Sequence, residues 1–285
     1  MAAGACGSSA PRPITTALLS LPTDGPGRLL AFVPPDAELI VELDVARLRN
    51  NPALGQLARQ LIDSDVPLAP QTSLPPGIPT SLRGVDAIVL ASYHVGGADA
   101  QTLTLLQAAP GQTVAGVIVA PGIVAVGPEN LAASAVLLGA KPTLQNQLSP
   151  ALATARQRAT LVGSQGAVLR IAAHLAPAVA RDLRLPVDVA AWSDVVDDAV
   201  LIVACPKQDA PAMQQRVKHA ARLPLLGVLG LAPSLVDAAL QPMGAWSRVV
   251  VVVPPNRLRR IVQRAAAALG KPRAAVPQSS QGVAP

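Results

Sequence analysis

Asp86-Ala-Ile-Val-Leu-Ala-Ser92, Gln101-Thr-Leu-Thr-Leu-Leu-Gln-Ala108, Thr113-Val-Ala-Gly-Val-Ile-Val-Ala120 and Ile123-Val-Ala-Val126 are four short apolar runs, each bounded by glycine or proline. Runs of this length, rich in β-branched residues and closed by turn formers, read as consecutive strands of an antiparallel meander. Gly127-Pro128 then turns the last of them into a helix over Glu129–Leu138. Strands in sequence followed by a helix define an α+β class, a largely antiparallel sheet or sheets with packed helices.

Upstream, Glu38-Leu-Ile-Val-Glu-Leu-Asp44 places Leu39, Val41 and Leu43 on alternate positions, as a strand does. Asn51-Pro52 reads as an N-cap and first helical residue, and Leu54, Leu57, Ala58, Leu61 and Ile62 follow at the spacing of one helix face. Pro67, Pro70, Pro75, Pro76 and Pro79 turn Ser64–Leu82 into a surface excursion. Downstream, a polar link near Lys141–Ser149 leads to a helix over Pro150–Ala159, a strand over Ala167–Ala173 and a helix over Leu175–Leu185. Ala199–Ala204 is a buried strand. Asp209, Ala210 and Pro211 open a helix with Met213, Val217 and Ala220 inward. Arg248–Val253 is a strand that passes through Pro254-Pro255 into a helix ending at Leu269.

One unit recurs. Val124-Ala-Val-Gly-Pro-Glu-Asn-Leu131 and Val251-Val-Val-Pro-Pro-Asn-Arg-Leu258 both turn a strand through proline into a helix, and Glu42-Leu-Asp-Val-Ala-Arg-Leu-Arg49 is a looser version. Val85-Asp-Ala-Ile-Val-Leu90 echoes Asp197-Asp-Ala-Val-Leu-Ile202. The expected organisation is two diverged copies of a strand-meander-plus-helix module. They span residues 29–145 and 146–270, behind a flexible tether at 1–28 and ahead of a disordered tail at 271–285. One continuous sheet and two separate domains both fit.

Hydrophobic residues make up 51% of the chain and aromatics 1%, so the core is built from Ala, Val, Leu and Ile. So few aromatics disfavour a single-stranded nucleic acid partner, whose bases stack on such rings. The net charge of +6 is unevenly spread: residues 1–140 carry 6 Lys+Arg against 10 Asp+Glu, and residues 141–285 carry 17 against 7. The basic second half either attracts the acidic first half or faces an anionic partner. No membrane span is expected. Although Glu129 is the one charge between Ala100 and Ala140, Pro110-Gly111, Pro121-Gly122 and Gly127-Pro128 cut that stretch far below the roughly 20 residues a span needs.

Ala3-Gly4-Ala5-Cys6 has the small-residue pattern that ends a bacterial lipoprotein signal, with Cys6 as the point of lipid attachment and a polar tether behind it. No apolar h-region of roughly 7–15 residues precedes Cys6, so this reading implies a truncated or miscalled chain start. An incidental cysteine in a disordered N-terminus, or a cytoplasmic protein starting at Met1, are the alternatives. Cys205 follows an apolar strand and reads as a small buried hydrophobe.

Val33-Pro-Pro-Asp-Ala-Glu-Leu-Ile-Val-Glu-Leu-Asp-Val-Ala-Arg-Leu-Arg49, followed by Ile123-Val-Ala-Val-Gly-Pro-Glu-Asn-Leu131, resembles uncharacterised exported bacterial lipoproteins. The resemblance covers about residues 29–140. It implies an opening strand, a meander and a strand–glycine–helix unit in the cell envelope, and it supplies no activity.

Catalytic signatures are missing: there is no G-x-S-x-G elbow, phosphate-binding loop, dinucleotide fingerprint or H-E-x-x-H, and no catalytic residue, cofactor or metal is expected. His94, His174 and His219 fall in separate elements without ligand spacing. Asp194, Asp197 and Asp198 read as helix-cap and turn residues. Arg257, Arg260 and Arg264 line one side of the last helix, as contacts for an anionic surface or as a solvated face. The leading expectation is a non-enzymatic cell-envelope protein, facing the periplasm or the surface. A lipid on Cys6 would anchor this binding or structural module to the membrane. Its partner would be another envelope protein or ligand. The alternatives are an enzyme whose site converges from Asp44, His94, His174 and Asp197, and a cytoplasmic module that binds an anionic partner through its basic half.

Overall fold

Ten strands join one sheet in the order β4-β5-β3-β2-β1-β6-β7-β8-β10-β9, antiparallel at every pairing. They are β1 Leu39–Asp44, β2 Val85–Tyr93, β3 Gln101–Ala108, β4 Val117–Ala120, β5 Ile123–Val126, β6 Leu169–His174, β7 Asp188–Val195, β8 Ala199–Pro206, β9 Ala239–Met243 and β10 Trp246–Val253. The computed structural model describes residues 25–62, 82–140, 148–159, 166–195, 198–222 and 231–269. The expected proline-rich excursion and tail lie outside them but for Leu82, as does the tether up to residue 24; its last residues are not tether, since Pro26 and Gly27 are buried in a helix over Pro26–Leu29. The class is α+β.

The central pairing is β1 with β6, with Val41 opposite Ile171 and Glu42 opposite Arg170. Outward from it, each half runs first, second, third, fifth, fourth strand. Both halves therefore share one sheet, and the expected 29–145 and 146–270 units meet along this seam.

Side chains alternate between two faces, and both faces are covered. On the first face, α1 (Pro26–Leu29) with the 3-10 turn Leu30–Phe32, α4 (Glu129–Ala140) and α5 (Pro150–Ala159) pack on Ile40, Val89, Leu103, Leu105, Ile123, Ala172, Ala190 and Ile202. All four aromatic residues sit in this layer: Tyr93, Trp192 and Trp246 are buried in its cluster and the partly buried Phe32 packs against that cluster. The helices come close because their inward positions are small, Ala132 and Ala135 in α4 and Ala155 in α5. At Gly139 a Cβ would stand 2.4 Å from the Val119 carbonyl oxygen, so the α4–β4 approach requires glycine.

On the second face, α2 (Val45–Arg49) and α3 (Gly55–Ile62) cover β1, β2, β3 and β5 through Val45, Ala58 and Ile62. α6 (Pro177–Asp182) covers the middle through Ala180. α7 (Ala210–Ala220) and α8 (Ala232–Val236) cover β8 and β10 through Ala210, Met213 and Leu235. α9 (Pro255–Leu269) lays Leu258, Ile261 and Val262 on Val195, Val253 and Leu54.

Four expectations are corrected. The meander breaks at its end: β3 pairs with β5, and β4 folds back outside as the edge. Within Thr113–Ala120 only Val117–Ala120 is strand, because Gly116 bends the chain at φ 151°. The helix expected over Leu175–Leu185 is six residues long, ending in a left-handed turn at Arg184. Ser193 and Asp194 are not cap residues but lie inside β7, a strand that its alanines conceal. α2 is the helix of the looser strand-to-helix turn read over Glu42–Arg49, whereas β9 has no sequence expectation. α2 is capped by Asp44, whose Oδ1 accepts from the Arg47 amide at 2.7 Å. β9 is an edge strand that tolerates Pro242.

Candidate functional site

The two buried carboxylates of the sheet, Glu42 and Asp194, are each matched by arginine. Glu42, 2% exposed, accepts from Arg156 Nε at 2.5 Å and Nη2 at 2.8 Å, with Arg170 at 4.0 Å. Burial alone would push the Arg156 guanidinium down, but the bonds to Glu42 and its charge hold it above its ordinary value. Across the seam, Arg47 clamps the Asp194 carboxylate through Nε and Nη2. Asn51 Nδ2 donates to the Val195 carbonyl at 2.6 Å, and Asn51 Oδ1 accepts from the amides of Ala53 and Leu54. The sequence gives Asp194 a turn role, whereas the structure makes it half of an inter-element ion pair.

The other expected groups are scattered. His94 pairs with Asp99 at 2.6 Å, and His174 Nδ1 with Asp188 at 2.6 Å, all at or near the surface. Asp44 and His174 stand at opposite ends of the β1–β6 pair, since the Asp44 amide bonds Val168 and the His174 amide bonds Glu38. Six residues of strand put about 20 Å between them. Asp44, His94 and His174 are thus not brought together, and Asp197, like Cys6, lies outside the described residues. Among the described residues no group of three or more His, Cys, Asp or Glu is placed to hold a metal ion. Cys205 is fully buried in β8, and burial, reinforced by Asp209 and opposed by Arg216, pushes its thiol up to about 11.

α9 is docked rather than free. Its apolar side is on the core, Arg257 Nη1 donates to the buried Ser234 hydroxyl at 2.6 Å, and Arg260 and Arg264 point outward. Among the described residues no helix is long and apolar enough to cross a membrane.

Basic charge instead concentrates in an open groove of about 1160 Å³ between the end of α6, the C-terminal half of α7, and α8. Arg184, Arg216, Lys218 and Arg222 line it, with Asp237 as the acidic residue and Val236 as an exposed apolar one. Gln214 Nε2 ties α7 to α8 by donating to the Ala238 carbonyl at 3.0 Å. Arg184 reaches the groove from a turn of unusual cost. The Leu185 amide bonds the Ala180 carbonyl and the Arg184 amide bonds the Arg181 carbonyl, a Schellman closure of α6. Arg184 fills its left-handed position at φ 54°, where glycine is the normal occupant. The basic cluster of α7 is visible in the sequence, but the arrival of Arg184 from some thirty residues upstream is not.

No protein-family model and no curated protein matches this sequence. Among solved structures, crystal forms I and III of TP0453 each align with a TM-score of 0.40 at 9% identity. The alignments cover 83% and 84% of this chain and 96% and 97% of those chains. A likeness at that level bears on neither site nor activity.

Proposed function

We propose that this protein is a non-enzymatic component of the cell envelope, held to a membrane by a lipid on Cys6, whose α+β body binds or braces another envelope component. The observation that carries the reading is Ala3-Gly4-Ala5-Cys6, with residues 7–24 between the cysteine and the first described residue, Gly25. The resemblance of residues 33–49 and 123–131 to exported lipoproteins supports the same address. The equal strand order outward from β1 and β6 supports reading the body as two copies of one module. The buried carboxylates Glu42 and Asp194 are committed to internal arginines while the groove presents its charge outward, and this supports binding as the body's role.

The test is metabolic labelling with an alkyne palmitate of the full chain expressed behind a lipoprotein leader. Label on the wild-type chain, lost in Cys6→Ala, is the expected result. Absence of label, or label that persists in Cys6→Ala, overturns the anchor.

A further inference from the structure

We propose that the groove between α6, α7 and α8 is a docking surface for an anionic lipid bilayer, with Arg184, Arg216, Lys218 and Arg222 meeting headgroup phosphates. The proposal concerns the body alone and stands whether or not Cys6 is acylated.

The first argument is charge left unspent. Four arginines packed on the sheet meet carboxylates, Arg47 with Asp194, Arg49 with Asp86, and Arg156 and Arg170 with Glu42, while Arg248 and Arg257 bond the Arg158 carbonyl and the Ser234 hydroxyl. Among the described residues, the four groove cations make no ion pair, and Asp237 is the one carboxylate in the lining. Lys218 has a local reason to be there, since it complements the carbonyl end of α7. Arg184 and Arg216 lie outside that last turn.

The second is local strain. Of the three described non-glycine residues at positive φ, Asp36 and His94 are of types that tolerate it, but Arg184 is not. Glycine would close the same turn without the clash of a Cβ, so the side chain gives this position something the fold does not need.

The third argument selects the partner. Leu183 and Leu185, flanking Arg184, are 54% and 36% exposed, and Val236 in the groove is 54% exposed. Phosphates alone would satisfy the cations and leave these apolar side chains in water. A bilayer surface offers both phosphates and hydrocarbon to one approaching face. A nucleic acid offers phosphates with flat base faces rather than hydrocarbon, and the groove lining has no Phe, Tyr or Trp on which to stack them, His219 being its one ring. α9, tied to α8 through Arg257 and Ser234, adds the exposed Arg259 and Arg260 to the same side of the sheet.

The test is sedimentation of the purified, unacylated full chain with vesicles of phosphatidylcholine alone, or with about one-third phosphatidylglycerol. Binding to the anionic vesicles and not to the neutral ones is expected, with a steep loss on adding salt. Arg184→Gly, which relieves the turn while removing the charge, should weaken the partition about fivefold. Its thermal midpoint should stay level or rise. Arg216→Ala and Arg222→Ala should each weaken it comparably. Equal binding to both vesicles overturns the proposal. So does a wild-type partition in all three groove variants while Arg259→Gln with Arg260→Gln abolishes it, which assigns the contact to α9. Tighter binding to a DNA duplex than to anionic vesicles, lost in the same groove variants, also overturns it and makes the partner a soluble polyanion.

Discussion

Replacing Glu42 by glutamine tests how the helix layer of the first face is held. The amide keeps the shape of the carboxylate and loses its charge, and the site is 2% exposed in the middle of the central strand. Glu42 accepts two short bonds from Arg156 in α5 and stands 4.0 Å from Arg170 in β6. Neutralising it leaves two guanidinium groups facing each other in a poorly hydrated place. Breaking a buried pair from one side costs about 3–5 kcal/mol. The two arginines retain 15% and 14% exposure, which brings the expectation to the lower end, about 3 kcal/mol. That is a large share of the roughly 5–15 kcal/mol that holds a domain together. Urea unfolding followed by tryptophan emission reads it directly, because Trp192 and Trp246 both lie in the layer that α5 covers. The double variant Glu42→Leu/Arg156→Leu should be less destabilised than the sum of Glu42→Leu and Arg156→Leu, since removing both halves of the closer pair leaves only Arg170 to lose its contact with the carboxylate. A loss below about 1 kcal/mol in Glu42→Gln, or simple additivity in the double variant, refutes the account.

Asn51→Ala should cost about 2 kcal/mol, since it removes the cap at Ala53 and Leu54 and the donor to the Val195 carbonyl. Asn51→Asp, which keeps the cap but sets a carboxylate against that carbonyl, should not rescue it in a thermal melt. In a Cys6→Ala background, Cys205 is the remaining thiol, and at pH 8 its thiolate should be about a hundredfold scarcer than in the unfolded chain. Maleimide labelling comparable in native and urea-unfolded protein would contradict this. The same raised thiol sets a stability trend. The fold holds the proton more tightly than the unfolded chain, so unfolding releases it. The contribution is complete below pH 9.0 and declines as pH climbs towards 11. Tyr93, whose hydroxyl is also pushed up by burial, acts in the same direction, and urea midpoints at pH 8 and pH 10 check the sign.

Local chemistry made much of the fold readable. β-branched runs mark β2, β5, β8 and β10, and the apolar spacing from Leu54 to Ile62 marks α3. β7 escaped because Ala190, Ala191 and Ser193 carry no strand preference, and what makes it a strand is its two neighbours in the sheet. The swap of β4 and β5 is invisible for a similar reason: a hairpin can present either strand to β3, and packing under α4 decides which. The candidate site was half legible. Arg216, Lys218 and Arg222 lie within a single turn or two of sequence, while Arg184 joins them only through tertiary packing. Arg260 and Arg264, the basic positions most obvious in the sequence, proved to be the outer face of a docked helix.

The pairing of β1 with β6 also sets an order of events on the ribosome. β1 leaves the exit tunnel early, yet its partner Ile171 is about 130 residues behind Val41. At roughly 5–20 residues per second, that edge of β1 waits on the order of ten seconds before the chain that must cover it exists. For that interval the nascent protein carries an open strand with Glu42 and no Arg156 or Arg170 beside it. A charge that is neutralised in the finished sheet guards the unfinished one against neighbouring chains, because a buried carboxylate is a poor partner for any strand but its own.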